Sequence, residues 1–268
     1  MTGHTYEDIL FQQDGALAVL TVNRPEVLNA LRTQTKKEIE AALEEVISNP
    51  EIRGLLIVGS GKAFISGSDI SEIGIDRPGE ETTQMSSRMH ALLNKLATLK
   101  KPTMAVINGY ALGGGLELAL ACDLRVCCLE VKMGLPEIDL GVLPCYGGTQ
   151  RLPRIVGAGF AKELLFTGRM LSGEEALHAG IVNRVFDKET LLDDAKAWMN
   201  QITERSAAAL YYAKVCVDEG LELSLKEGLA LESRVAGILV ETTEAKENVT
   251  AFLNKRKKRQ AEKATKND

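Results

Sequence analysis

Short runs of uninterrupted apolar residues alternate along this chain with longer segments of helical periodicity. The runs at 55–58, 103–107 and 124–128 show no polar alternation, which predicts strands buried on both faces of a sheet. Helical spacing appears at 86–99 and at 36–47, where it places these side chains on one face: Ile39, Ala42, Leu43, Val46 and Ile47. Buried strands joined by helices need crossover connections, so the pattern predicts an α/β fold with a largely parallel sheet.

The two ends of the chain depart from this alternation. The β-rich runs at 9–13 and 16–22 flank Asp14-Gly15, a turn signal that predicts an antiparallel hairpin. Beyond residue 147 only 181–186 has strand character, and the other periodic segments are predicted helices at 160–166, 191–203, 207–218 and 223–239. We therefore expect one core with a helical extension. The charged tail at 254–268 lacks apolar partners and is predicted to be frayed and solvated.

Three consecutive glycines, residues 113–115, separate a predicted strand from an apolar helix that carries Glu117. The first N–H groups of a helix have no intrahelical acceptor and carry positive potential, so they bind anions. The alternative explanation is close packing of strand against helix, which excludes a Cβ. The dinucleotide fingerprint fails, since its last glycine would fall on Leu118. A phosphate-binding loop fails too, since Ala63 follows Lys62 where a hydroxyl is needed.

Two other glycine-containing segments accompany this one. Residues 61–70 follow a predicted strand and carry small side chains around Gly67, which suits a turn whose backbone approaches a ligand. Residues 134–152 place Glu137 in a turn-rich loop ahead of a second glycine pair. Two carboxylates, each beside a glycine-rich turn, are candidates for acid–base chemistry.

The composition argues against several classes of protein. Acidic residues number 37 and basic residues 32, so the molecule has no overall field suited to gripping nucleic acid. The five cysteines are odd in number and form no C-x-x-C motif, which is typical of reduced thiols in a cytoplasmic protein. The first residues are polar and acidic, and no apolar run reaches the roughly 18 residues of a membrane span. We expect neither a leader nor a membrane segment.

The ordered motifs of this chain resemble those of the enoyl-CoA hydratase/isomerase, or crotonase, superfamily. The matching segments cover roughly residues 7 to 257 and are Asn23-Arg-Pro, Asn29-Ala-Leu, Ala63-Phe-x-x-Gly-x-Asp-Ile70, Asn108 to Asp123, Pro136-Glu-Ile to Arg151-Leu152, and Phe252-Leu-x-Lys-Arg256. The resemblance implies a crotonase (ClpP-like) fold, in which a core of ββα superhelical turns carries a C-terminal helical extension. It places the core, with its CoA-binding and catalytic loops, at 1–195. A trimerisation region ending in a basic tail follows at 196–268, and it implies a homotrimer or a dimer of trimers.

The resemblance also implies a reaction and the residues that perform it. The thioester oxygen of an enoyl-CoA would sit in an oxyanion hole formed by the backbone N–H groups of Ser68 and Gly114. Glu117 and Glu137 would hold a water for syn addition across the C2=C3 bond, giving a 3-hydroxyacyl-CoA. Within that pair we assign Glu137 as proton donor to C2 and Glu117 as the group that activates water. Many relatives have alanine at the position of Ser68. Because the donor is the backbone N–H, we expect the oxyanion hole to be kept.

Substrate contacts follow from the same resemblance. The backbone around 66–71 would hold the adenine and pantetheine, which makes these residues CoA-binding candidates: Ser66, Asp69, Ile70 and Ser71. Basic side chains would meet the phosphates, with Lys62, Lys255 and Arg256 as candidates, although the tail lacks the Pro-x-Phe ending common after that Lys-Arg pair. Cys145 and Tyr146 replace the usual small residues after Pro144 and are expected to shape the acyl pocket, while the backbone N–H groups there remain available to water. No metal and no cofactor apart from the substrate's own coenzyme A is expected.

Several alternatives remain open at this level. The chain could hydrate a cyclic or dienoyl-CoA, or act as a Δ3,Δ2-enoyl-CoA isomerase, although family isomerases often keep only the position of Glu137. A non-enzymatic alternative is an RNA-binding protein on the same scaffold, which the balanced charge disfavours. Cys145 could be a nucleophile, but no His lies in a recognisable partner motif. His90 and His178 are more simply structural.

Overall fold

The main sheet is built from the predicted buried strands, which alternate with helices along the chain. The computed structural model describes residues 5–72 and 78–264, with side chains as far as 256. In spatial order, the strands of this sheet are β1 (Ile9–Asp14), β2 (Leu17–Val22), β3 (Gly54–Gly59), β5 (Thr103–Ile107), β7 (Leu124–Cys127) and β9 (Arg184–Val185). Only β1 and β2 pair antiparallel, and every later neighbour is parallel. The predicted hairpin and parallel sheet are confirmed.

A second, three-stranded parallel sheet runs alongside the first. It consists of β4 (Ala63–Ile65), β6 (Tyr110–Leu112) and β8 (Lys132–Gly134), in that order. Each follows a strand of the main sheet, so the chain passes from β3 to β4, through a helix to β5 and β6, and through another helix to β7 and β8. This is the ββα superhelix that the family resemblance implies. The strand ends of the second sheet lead directly into the loops of the site.

Helices cover the main sheet and close its core. The first is α1 (Thr33–Ser48), followed by α2 (Gly79–Ala97), α3 (Gly114–Ala121), α4 (Gly148–Val156), α5 (Ala158–Thr167), α6 (Gly173–His178) and α7 (Leu191–Thr203). On α1 four of the five predicted face residues are buried, but Ile47 is 49% exposed. It lies about 80° around the helix from Ile39, in the last turn, so the prediction for Ile47 is wrong.

The chain divides into two compact units, Met1–Thr203 and Glu204–Asp268. The division falls at the end of α7 rather than between residues 195 and 196, because Ala195 and Met199 of that helix are buried in the core of the first unit.

The second unit contains α8 (Ala207–Gly220), α9 (Leu225–Val240) and α10 (Thr243–Ala264). The predicted frayed tail is therefore helical as far as Ala264. Its Lys, Arg, Gln, Ala and Glu residues have high helix propensity, which the absence of apolar partners does not cancel.

The five cysteines all lie in the described part of the chain and none forms a disulfide; Cys122, Cys127 and Cys128 are buried. No helix in the part of the chain that the structure describes is both long enough and apolar enough to cross a membrane.

Asn29 connects the loop before α1 to the turn between β3 and β4. Its backbone has a positive φ of 59°, a conformation that Asn tolerates better than most residues. Its side-chain amide donates to Ser60 O at 2.9 Å and Ala63 O at 2.8 Å, and its oxygen accepts from Arg24 N at 2.9 Å. Since Asn29 is fully buried, these bonds satisfy backbone groups that water cannot reach.

We predict that Asn29→Ala lowers the free energy of unfolding by about 2 to 4 kcal/mol, because it strands buried polar groups and places alanine at positive φ. Asn29→Gly loses the same hydrogen bonds but accepts the backbone conformation, so it should lose less than the alanine variant. Urea denaturation of the three proteins measures the difference. An alanine variant as stable as the parent would contradict the prediction.

Candidate active site

Two backbone N–H groups lie side by side where the loop after β4 meets the start of α3. Gly114 is the first residue of that helix, and a Cβ on Gly67 would lie 4.0 Å from Gly114 N. Within residues 5–72 and 78–264, neither the Ser68 N–H nor the Gly114 N–H has a hydrogen-bond acceptor. The structure thus brings the two predicted donors together, as binding of one oxygen by both requires.

The loop that carries Ser68 is held on its other side by the segment before α1. Leu31 N donates to Gly67 O at 2.8 Å, and Asp69 N donates to Leu31 O at 3.1 Å. Arg24 Nη1 donates to Asp69 Oδ2 at 2.9 Å, and both side chains are largely buried. These bonds hold the loop on both sides of Ser68 without using the Ser68 N–H.

Glu117 is 1% exposed and lies one turn into α3. Its Oε1 accepts from Tyr146 N and from Gly148 N, both at 2.7 Å. Burial is the main reason why the pKa of Glu117 is raised from 4.5 to about 7. The two backbone N–H groups lower this pKa, and the nearby charge of Glu137 raises it. The carboxyl therefore changes protonation near neutral pH. The Tyr146 N–H, expected to be free for water, is occupied by Glu117 instead.

Glu137 approaches the same place from the short 3₁₀ helix Pro136–Leu140. A Cβ on Gly113 would lie 2.8 Å from Glu137 Oε1, and Gly113 has a positive φ of 50°, so only glycine fits there. Among the described residues Glu137 Oε2 has no hydrogen-bond partner although it is buried. Burial raises the pKa of this carboxyl as well. The two predicted carboxylates are thus brought together in a largely buried site.

Tyr146 connects the components of the site. Its side chain is buried, and a Cβ on Gly114 would lie 2.9 Å from two of its ring carbons. Ser68 Oγ donates to Tyr146 Oη at 2.7 Å, and Lys36 Nζ lies 3.5 Å from that oxygen and 5.5 Å from the ring centroid. Lys36 is the residue that sequence reasoning missed. A signal was present, because Lys36 precedes Ile39, Leu43 and Val46 at helical spacing on the buried face of α1.

Cys145 is half-buried beside the carboxylates, and its carbonyl accepts a hydrogen bond from Ser86 Oγ of α2. Burial raises the pKa of its thiol to about 11, and the charges of Glu117 and Glu137 add to the effect. A nucleophilic cysteine needs its thiolate, so this environment argues against that role.

The predicted CoA-binding residues are distributed over two regions. Ser66 and the segment 69–71 form one loop at the surface, where Ile70 is 74% exposed; Asp69 binds Arg24 and Ser71 through its side chain. Lys62 is exposed in the turn between β3 and β4. Lys255 and Arg256 are exposed on α10 of the second unit, and their phosphate contacts stay a prediction.

A cleft of about 800 Å³ opens beside Ser68, between α1 and α2. Its walls are formed by Thr33, Lys36, Lys37, Glu40, Ser68, Asp69, Glu72, Glu81, Gln84, Met85, Arg88, Met89, Ala91 and Leu92. In the described part of the chain no group of three or more His, Cys, Asp or Glu side chains is arranged to hold a metal ion.

The chain is similar to known enoyl-CoA hydratases in sequence and in structure. A family model described as enoyl-CoA hydratase/isomerase matches residues 12–263. The short-chain-enoyl-CoA hydratase of Clostridium acetobutylicum is 37% identical over 256 residues, covering 93% of this chain and 96% of that protein. The crotonyl-CoA hydratase of Syntrophomonas wolfei is 38% identical, covering 94% and 97%. A solved enoyl-CoA hydratase from Bacillus anthracis aligns with a TM-score of 0.88 at 32% identity, covering 93% and 97%.

The raised pKa of Glu117 predicts a stability that falls as pH rises. Because the folded state binds this proton more tightly than the unfolded state, the free energy of unfolding decreases between pH 4.5 and about 7, by up to about 3 kcal/mol. Glu117→Gln keeps an oxygen for the two N–H donors and removes the titration, so its dependence on pH should be shallower. Urea denaturation at pH 5 and pH 8 tests this. Equal slopes in both proteins would be evidence against a carboxyl buried in this way.

Proposed function

The chain belongs to the enoyl-CoA hydratase/isomerase family, and we propose that it catalyses reversible syn addition of water across the C2=C3 bond of a 2-enoyl-CoA. The observation that carries this proposal is the meeting of two buried carboxyls beside two adjacent N–H donors that have no acceptor in the described protein. Hydration requires one group to take a proton from water and another to deliver a proton to carbon. It also requires a site for the negative charge that develops on the thioester oxygen.

The N–H groups of Ser68 and Gly114 supply that site. Addition of hydroxide at C3 builds enolate charge on the thioester oxygen, and donors already aimed at it stabilise the charge without rearranging. One such donor contributes roughly 3 to 4 kcal/mol to transition-state stabilisation. The positive end of α3, which begins at Gly114, adds to the potential there.

The two glutamates divide the proton transfers. Glu117 Oε1 is held by two backbone N–H groups, which leaves Oε2 to accept a proton from water. Its pKa of about 7 suits a base that works near neutral pH. Glu137 has a raised pKa and a buried oxygen without a partner in the described protein, so its protonated form can deliver a proton to C2. The presence of both carboxyls supports hydration over isomerisation.

We propose a cytoplasmic homotrimer or dimer of trimers that needs no cofactor apart from the coenzyme A of its substrate. In that assembly the exposed Lys255 and Arg256 would contact the CoA phosphates, with Lys62 on the core loop.

We predict that Glu117→Gln and Glu137→Gln each lower kcat for crotonyl-CoA by at least about 100-fold, the scale of positioned acid–base catalysis. Loss of ultraviolet absorbance by the enoyl thioester measures the rate. Glu189→Gln, a substitution of an exposed glutamate outside the site, is the matched control and should match the parent. Rates near the parent's in both site variants would remove the pair from the mechanism, and failure of the parent on a panel of enoyl-CoAs would remove the activity.

The oxyanion donor at residue 68 can be tested through its backbone. Ser68→Pro removes the N–H and should lower kcat by about 100-fold to 1,000-fold. Ser68→Ala keeps the N–H and loses only the hydroxyl, so its loss should be far smaller. Comparable losses in the two variants, with circular dichroism unchanged, would show that the N–H is not the group that matters.

A further inference from the structure

The side chain of Arg151 lies against the turn that holds Glu117. This turn runs from Tyr146 to Gly148, where α4 begins, and the N–H groups of its two end residues both donate to Glu117 Oε1 at 2.7 Å. Arg151 Nη1 donates to Tyr146 O at 3.1 Å, and the Arg151 N–H donates to Gly147 O at 2.8 Å. One arginine therefore binds two carbonyl groups of the turn whose N–H groups bind the carboxyl.

The middle residue of this turn leaves room for the guanidinium. Gly147 has a positive φ of 110°, and a Cβ there would overlap Arg151 Nη1. A side chain at residue 147 would therefore strain the backbone and displace the arginine. On its other side, Arg151 Nη2 donates to Asn94 Oδ1 of α2 at 2.7 Å. The planar guanidinium is thus held between the turn and α2.

The charge of Arg151 also acts on the Glu117 carboxyl. Burial is the main cause that raises the pKa of Glu117, the charge of Glu137 adds to it, and the charge of Arg151 lowers it. Burial lowers the pKa of the Arg151 guanidinium, and the charge of Glu117 opposes that shift. Because Arg151 is half-buried, water and salt screen its charge less than that of a surface arginine.

Other ionisable groups lie on the elements that pack around α3. β4 and β5 carry none, and Tyr110 of β6 is exposed. The remaining groups, on α2, on α4 and in the loop before α4, are Glu80, Glu81, Arg88, His90, Lys95, Cys145 and Arg154. Among the described residues, Glu137 and Arg151 are the two whose charges act on Glu117.

We propose that Arg151 is a positioning residue for the reaction: held by Asn94, it fixes the turn that binds Glu117 and supplies a positive charge beside that carboxyl. This inference rests on the proposed function, in which Glu117 activates water. A base must be ionised to accept a proton, and burial together with the charge of Glu137 opposes ionisation. Arg151 offsets part of that opposition, so a larger fraction of the base is ionised at neutral pH.

The pH dependence of kcat/KM for crotonyl-CoA tests the proposal in Arg151→Met. Without the positive charge the pKa of Glu117 should rise, and the acid limb of the profile should move to higher pH. The ratio of the parent's kcat/KM to that of Arg151→Met should therefore be at least about fivefold larger at pH 6 than at pH 9. Arg151→Lys keeps the charge and should keep the acid limb closer to the parent's. A ratio for Arg151→Met that is the same at every pH would indicate a purely structural role and would overturn the proposal.

The matched control is Arg154→Met, which removes the same charge from an exposed position of α4. Its ratio to the parent should not depend on pH, and a displaced acid limb in this variant would overturn the proposal. Asn94→Ala covers the case in which Arg151→Met does not fold, because residue 94 is exposed and alanine favours a helix. It frees the guanidinium from α2, so the acid limb should move in the same direction by a smaller amount. An acid limb at the parent's position would count against the proposal.

Urea denaturation tests the coupling of Arg151 to Glu117 without substrate. The folded state binds the Glu117 proton more tightly than the unfolded state, and this stabilisation is lost as pH rises through the folded pKa of about 7. In Arg151→Met the loss should extend to higher pH. Between pH 7 and pH 9 the unfolding constant should therefore rise about fivefold more in Arg151→Met than in the parent. In a Glu117→Gln background the same substitution should add no dependence on pH.

The two measurements separate this inference from the proposed function. If the parent hydrates no enoyl-CoA while Arg151→Met shows the added dependence of unfolding on pH, and Glu117→Gln abolishes it, the hydratase function fails and the coupling stands. If the parent hydrates crotonyl-CoA while Arg151→Met unfolds with the parent's dependence on pH, the function stands and the proposal fails.

Discussion

The buried Glu117 carboxyl, with Oε1 held by the N–H groups of Tyr146 and Gly148, is the interaction on which the rest of the site depends. It joins α3 to the loop that begins α4, and it sets where the Tyr146 ring lies against Gly114. The same burial that makes these hydrogen bonds strong raises the pKa of the carboxyl to about 7. One contact therefore shapes the site and accompanies the near-neutral pKa that the proposed base requires.

Some polar groups of the site have no hydrogen-bond partner in the described protein. Glu137 Oε2 is buried without a partner in the described protein, and two N–H groups beside it have no protein acceptor. Each unsatisfied buried group lowers stability by about 1 to 3 kcal/mol. In the proposed reaction a thioester oxygen and a water molecule would satisfy these groups, so that binding would recover the free energy that they cost the free protein.

The cleft beside Ser68 differs in character from the pair of buried carboxyls. Basic and acidic side chains line this cleft together with methionine and leucine side chains. The relatives named above are hydratases described by short or crotonyl chains. Because an activity depends on the residues of a site and not on the fold that carries it, one scaffold can serve several acyl groups.

The sequence by itself determined the parallel sheet, since buried apolar runs joined by helices have few other solutions. Its motifs predicted four site residues that the structure brings together: Ser68, Gly114, Glu117 and Glu137. It failed where the outcome depends on the end of an element, as at Ile47 and in the helical tail. Only the tertiary structure decided the pKa of Glu117, because desolvation depends on what surrounds the carboxyl. It alone brought Lys36 to Tyr146 across 110 residues and Ser68 to Tyr146 across 78. Helical periodicity can place Lys36 on the inner face of α1, but it cannot tell which residue Lys36 meets there.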